Sequence, residues 1–125
     1  MAKSRRAEMS DDLYARVRAA VQPGDEICTL ANNHVNRIAG VHRAGVLVET
    51  ARSDELGTGP QEVPAWMIED GWDHLHRTGE LSQVELLNDL NVKRSAFVCA
   101  LLALFPDVVV QSNRPVVLRM DDGFR

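Results

Sequence analysis

The residues best placed to hold a metal or move a proton cluster between 69 and 76. Glu69, Asp70 and Asp73 precede His74 and His76, and Leu75 separates the two histidines. Imidazoles in such a set suit zinc and carboxylates suit magnesium. Helical spacing argues against both. Residues two apart on a helix point to different faces, so His74 and His76 cannot close on one ion. Histidines in a last turn complement the negative end of the helix dipole, and the three acids read as a solvated face. His34 and His42 are loop or strand-end residues, too far apart in the chain to form a pair. No metal site and no cofactor is expected.

Nucleophilic chemistry fares no better. Cys99 lies in the apolar run "AFVCALLALF", where the thiolate is disfavoured, and Cys28 lies in a second apolar stretch. Both read as buried free thiols. There is no glycine-rich phosphate loop, no G-x-S-x-G elbow and no cysteine pair at zinc spacing. The chain reads as non-enzymatic.

Charge is distributed unevenly over the 125 residues, whose formal net charge is −4. Residues 1–52 carry eight basic and six acidic side chains, whereas 53–90 carry nine acidic and one basic, Arg77. Residues 91–119 return to four basic and one acidic. The acid sits in the middle and both flanks are mildly basic. A net negative chain is a poor non-specific polyanion binder, so any nucleic-acid contact must be local. With 45% apolar residues the chain can build a core. It has no apolar run of the ~20 residues a membrane span needs and no signal-peptide middle, so a cytoplasmic protein with no membrane partner is expected.

The elements that must position these groups follow from caps and periods. Residues 1–9, with Lys3, Arg5 and Arg6, read as a flexible basic arm. Ser10 caps a helix over 11–22, with Asp11 and Asp12 in its first turn and "PG" at 23–24 ending it. Apolar stretches at 26–30, 35–41 and 46–51, parted by "ANN" and "HRAG", predict a three-stranded antiparallel meander. Residues 52–61 read as a loop. From Val63 the period becomes helical, with Pro64 near the first turn, Gly71 as a weak point and Gly79 just past the end. Ser82 and Glu85 form a capping box before Leu86 and Leu87. A third helix runs from about Lys93 to just before Pro106, and "DVVVQSNRPVVLRM" folds as a hairpin with Arg114 at its tip. The fold class is α+β, an N-terminal helix and small antiparallel meander (10–61) ahead of a helical and hairpin unit (62–120), with a tail at 121–125.

Three helices and a hairpin, with Ser82, Gln83, Glu85, Leu86, Leu90, Val92, Arg94 and Ser95 at their spacings, resemble a bacterial winged helix-turn-helix domain. The resemblance spans 63–120. It implies that the third helix enters the major groove by its N-terminal half, bringing Lys93, Arg94 and Ser95 to double-stranded DNA. It also implies that Asn113 and Arg114 on the wing meet phosphate or the minor groove, with Arg119 flanking them. Arg37 and Arg43 on the meander are further candidate DNA contacts, and Asn32, Asn33 and Asn36 beside Arg37 make a polar surface.

The third helix departs from that pattern. Where a DNA-reading helix is polar, this one has Val98, Cys99, Leu102 and Ala103. A helix apolar all round is buried all round, so it needs a lid: the N-terminal half, a partner or a second copy. Left open, Phe97, Val98, Leu101, Leu102 and Phe105 would form a partner surface. Two functions are therefore expected. One is a DNA-binding regulator or restriction and defence accessory, acting as a homodimer to double a small cationic footprint. The other is an interaction adaptor that docks a protein partner or itself through the apolar helix.

Overall fold

The computed structural model describes residues 7–121. Lys3, Arg5 and Arg6 of the expected arm, and residues 122–125 of the expected tail, lie outside the described residues. The arm ends earlier than its sequence suggests. Met9 is buried in the core, and its N–H donates to the Arg43 carbonyl at 2.7 Å.

Helix α1 (Asp11–Ala20) opens on Ser10, whose hydroxyl accepts from the Leu13 N–H. It stops two residues before the expected end, because Val21 is already extended. Strands β1 (Glu26–Cys28), β2 (Val35–His42) and β3 (Gly45–Glu49) form the expected antiparallel meander. Two further elements occupy the segment read as loop. Helix α2 (Ala51–Leu56) starts where Thr50 and Ser53 exchange side-chain-to-backbone hydrogen bonds, a reciprocal cap of the same logic as the capping box. Strand β4 (Gln61–Pro64) then pairs with β3, giving a four-stranded sheet of order β1–β2–β3–β4. Gly45 is required by that pairing: a Cβ there would lie 2.3 Å from the Val63 carbonyl oxygen. Pro64 is tolerated because it ends an edge strand. The boundary expected at residues 61 and 62 runs through β4, so the two halves share an element.

Helix α3 (Ala65–Thr78) follows directly and ends on Gly79 in the left-handed conformation. Strand β5 (Glu80–Ser82), too short to show in the sequence, leads into helix α4 (Gln83–Asn88), with the Ser82–Glu85 capping box in place. Helix α5 (Ser95–Leu102) is shorter than expected at both ends. Strands β6 (Val108–Asn113) and β7 (Val116–Met120) form the hairpin, and β5 joins it in a second antiparallel sheet of order β5–β7–β6. The protein is a mixed α+β fold. Among the described residues no helix is long and apolar enough to cross a membrane.

What covers α5 is the chain itself. All of its residues except Ala96 are buried, and it packs against α3, α4 and β1. Phe97, Val98, Leu101, Leu102 and Phe105, expected as a partner surface if uncovered, are therefore core. Gly71, read as a weak point of α3, lies at the closest approach. A Cβ there would meet Val98 Cγ1 at 3.0 Å and Leu102 Cδ1 at 3.4 Å, so the missing side chain lets the two helices touch. Helix α1 is tied to this assembly by polar contacts. Its Ser10 N–H donates to the buried Glu69 carboxylate on α3, which does for α1 what a capping-box glutamate would do. Arg16 donates from one nitrogen to both oxygens of the buried Asp107, at 3.0 Å each, and lies over the Trp72 ring at 4.6 Å. Trp72 in turn meets Phe105 edge-on at 5.3 Å.

Two outcomes follow. Leu102→Asp places a charge where the chain supplies no partner, so it should abolish the folded monomer, seen as loss of near-UV circular dichroism. A folded, monomeric Leu102→Asp protein would show that the meander is not the lid. Arg16→Ala should lower stability in urea by about 2–3 kcal/mol, less than for a fully buried pair because Arg16 is partly exposed.

Candidate functional site

The meander covers the flank of α5 but leaves its N-terminal end facing an open groove of about 960 Å³. One wall is β1, β2 and the turn between them; the other is α4 and the start of α5. A shallower dish of about 480 Å³ lies beside it, between α4, the β1–β2 turn and the tip of the β6–β7 hairpin. Gln83 and Leu87 of α4 line both, so the two concavities form one continuous face.

Local backbone geometry brings the cations to this face. Asn91 adopts φ 58°, a left-handed conformation that asparagine tolerates, and turns the chain from α4 into α5. Lys93 and Arg94 follow at once. Lys93 is exposed and has no ion pair or hydrogen bond among the described residues. Arg94 occupies the N-cap position of α5 without capping it; its side chain donates to Gln61 Oε1 at 3.2 Å. Burial lowers the Arg94 pKa from the usual arginine value, the direction expected for a cation with a neutral partner. Ser95, the first residue of α5, is buried on the groove wall.

Opposite, Arg37 on β2 pairs with Glu49 on β3 at 3.4 Å. Asn36 is buried beside it and donates from Nδ2 to the His34 carbonyl, while the Thr29 hydroxyl accepts from the His34 N–H at 3.0 Å. At the hairpin tip, Arg114 donates through Nε and Nη2 to the single carbonyl of Ala31, at 3.0 and 2.8 Å. That contact fastens the tip to the β1–β2 turn. Asn113 is exposed next to it. Glu26, Glu49 and Glu55 also line the groove, so it is polar and of mixed charge.

Six of the eight expected contact residues, Lys93, Arg94, Ser95, Arg37, Asn113 and Arg114, thus gather on one face. Two do not. Arg43 bonds Asp11 at 2.6 Å and lies over the Tyr14 ring at 4.8 Å, at the start of α1. The hydrogen bond to Asp11 raises its pKa. Arg119 sits on β7 opposite Glu80 of β5 and donates to the Met120 carbonyl. Sequence reasoning missed Thr29 and Leu87 as wall residues. Only Leu87 carried a signal, as the outward apolar neighbour of the buried Leu86.

The groups that first suggested metal chemistry are dispersed. Glu69 turns inward to Ser10, His74 approaches Glu85 at 3.6 Å, and His76 lies 5.4 Å from the Trp72 ring. Among the described residues no three His, Cys, Asp or Glu side chains converge. Cys28, expected to be buried, is exposed, because the alternation of β1 turns Ile27 inward and its neighbours out. Cys99 is buried, and desolvation pushes its thiol up to about 12.

The two thiols should therefore separate cleanly: Ellman's reagent should titrate Cys28 in the native protein and Cys99 only on unfolding. Above pH 9 the unfolded chain loses the Cys99 proton and the folded chain keeps it up to about 12. The unfolded state is then favoured, so this group costs about 1.4 kcal/mol of stability per pH unit across that window. Urea titrations of wild type and Cys99→Ala should show the difference in slope, and equal slopes would contradict the burial. Comparison with protein-family models, curated proteins and solved structures finds no match to the chain, so the reading of this face rests on its own geometry.

Proposed function

We propose that the protein binds double-stranded DNA through the face where the start of α5, the β1–β2 turn and the β6–β7 hairpin meet. The observation that carries this reading is the gathering of Lys93, Arg94, Ser95, Arg37, Asn113 and Arg114 on two adjoining concavities. The chain order supports it. Helix α3, strand β5, helices α4 and α5 and the β6–β7 hairpin follow the order of a winged helix, with β6–β7 as the wing and α4–α5 as the helix-turn-helix.

The mode differs from major-groove reading. With β1 against α5, only the end of the helix is presented, and Arg114 is engaged with Ala31. Contact is then to the sugar-phosphate backbone, by Lys93 and Arg94 from the helix end and Asn113 from the wing. Such contacts position a protein on a duplex without specifying sequence. Glu26 and Glu55 on the groove wall keep the affinity low, and a homodimer would double the cation count. This suits an accessory or regulatory subunit better than a stand-alone operator reader.

A second reading has its own observation. Val84 and Leu87 on α4 and Val35 on β2 are 55%, 43% and 46% exposed, and they line the same face. An adaptor would dock a protein through these side chains rather than through α5.

Anisotropy of a labelled duplex separates the two. For about two or three neutralised phosphates, affinity should fall roughly 10- to 40-fold between about 50 and 200 mM salt. Lys93→Ala/Arg94→Ala should flatten that dependence by about two units of slope, while Arg43→Ala, held by Asp11, should leave it unchanged. No binding at low salt would overturn the DNA reading. Self-association by light scattering that disappears in Val84→Ser/Leu87→Ser would then favour the adaptor.

A further inference from the structure

We propose that the free edge of β6 pairs antiparallel with the β6 of a second copy, joining two chains through one six-stranded sheet of order β5–β7–β6–β6–β7–β5. The proposal does not rest on DNA binding, although it supplies the dimer which that reading calls for.

A strand at the end of a sheet carries backbone N–H and C=O groups on its outer side that no neighbour satisfies. Folded proteins guard such edges with charge, with proline or by keeping them short. Among the described residues the two sheets have four edges, and three are guarded. Strand β1 has three residues, includes Glu26 and packs against α5. Strand β4 includes Glu62 and ends on Pro64, and β5 has three residues with Glu80 at its start. Strand β6 is the exception. Its six residues, "VVVQSN", hold no charge and no proline. They span about 20 Å. Among the described residues no group outside the hairpin hydrogen-bonds to Val109, Val110, Gln111 or Ser112.

The side chains point the same way. Val110 opposes Leu118 of β7, which is fully buried, so Val110 faces the core side of the sheet. It is nevertheless 36% exposed, because the sheet ends there. In an antiparallel copy centred on Val110, the two Val110 side chains meet across the two-fold axis on that same side. Each covers the other, and such directly opposed apolar pairs are what stabilise a sheet.

Charge selects both the partner and its direction. A foreign strand is recognised through charged groups beside the edge, and β6 has none. The charges that flank it are Asp107, just before its start, and Arg114, just past its end. Antiparallel pairing of two copies sets the acidic end of one strand beside the basic end of the other, whereas parallel pairing sets like beside like. The bulge between Val110 and Ser112 twists the far end of the edge, so the contact is short and the dimer weak.

The test is light scattering of the full chain from about 1 μM to about 1 mM, a range that brackets the affinities of small interfaces. A reductant keeps the exposed Cys28 from forming disulfides. The mass should rise from that of one chain to that of two. Val110→Lys and Val110→Glu should each stay folded by near-UV circular dichroism. Each should need at least about tenfold more protein to associate, because like charges then stand opposite one another. Mixing the two variants should restore association. In the wild type, amide hydrogen exchange at residues 109–112 should slow as concentration rises, a readout that needs no variant. A chain that stays monomeric throughout, with exchange at 109–112 independent of concentration, overturns the proposal and leaves the edge to a foreign strand. A mixture of folded variants that stays monomeric overturns it too. So does association that survives Val110→Lys and disappears in Val84→Ser/Leu87→Ser, which places the contact on α4. Duplex binding by a monomer leaves the DNA reading standing without this dimer. A β6 dimer that binds no duplex removes that reading and keeps the interface.

Discussion

An eight-residue helix that is apolar around its whole circumference must be covered on every side, and the rest of this molecule is arranged to do that. Helix α3 covers one flank, and Gly71 lets it come close enough for Val98 and Leu102 to fill the space a side chain would take. Helix α4 covers a second. The third is closed by β1, which makes the N-terminal sheet a structural necessity rather than an appendage. Because β3 pairs with β4 and β4 runs straight into α3, the sheet is held to the helices by the chain itself.

Covering the flanks of a short helix leaves its ends. The C-terminal end is taken up by the turn at Phe105 and by Asp107, which Arg16 holds in the interior. The N-terminal end opens into the groove. The chemical character of that groove is a by-product of the packing: β1 and β2 contribute Thr29, Asn36 and Arg37 because the opposite residues of the same strands, such as Ile27 and Ile38, are needed in the core. The groove opens at the one end of the buried helix that the described residues leave uncovered.

Much of this was legible in the sequence, and the failures have physical causes. Caps written in local spacing, Ser10, the Ser82–Glu85 box and Gly79, appear where expected, because a cap needs only neighbours. The all-round apolarity of α5 announced a lid. What supplied it could not be read, because "EIC" at 26–28 has the same alternation whether its inner face meets a helix or another sheet. Strands β4 and β5 escaped because three or four residues carry no period and owe their extension to partners far along the chain. Arg114 looked free to meet phosphate. Its engagement with Ala31 joins residues 83 positions apart, and nothing near either one signals it. The face assembled from Lys93, Arg94 and the meander was visible as residues, but its concavity was not.

The ion pair between Arg16 and Asp107 spans 91 positions of sequence. During synthesis the N-terminal helix and meander leave the ribosome long before the residues they are built to cover. They must wait with Ile27, Ile38, Leu13 and Val17 without their partners until the chain has been read past residue 107. A protein whose first half is the lid for its second half cannot be completed step by step as it emerges. Its closure is a late, long-range event, slow compared with the formation of its local turns, and the half-made chain is the form most in need of protection from aggregation.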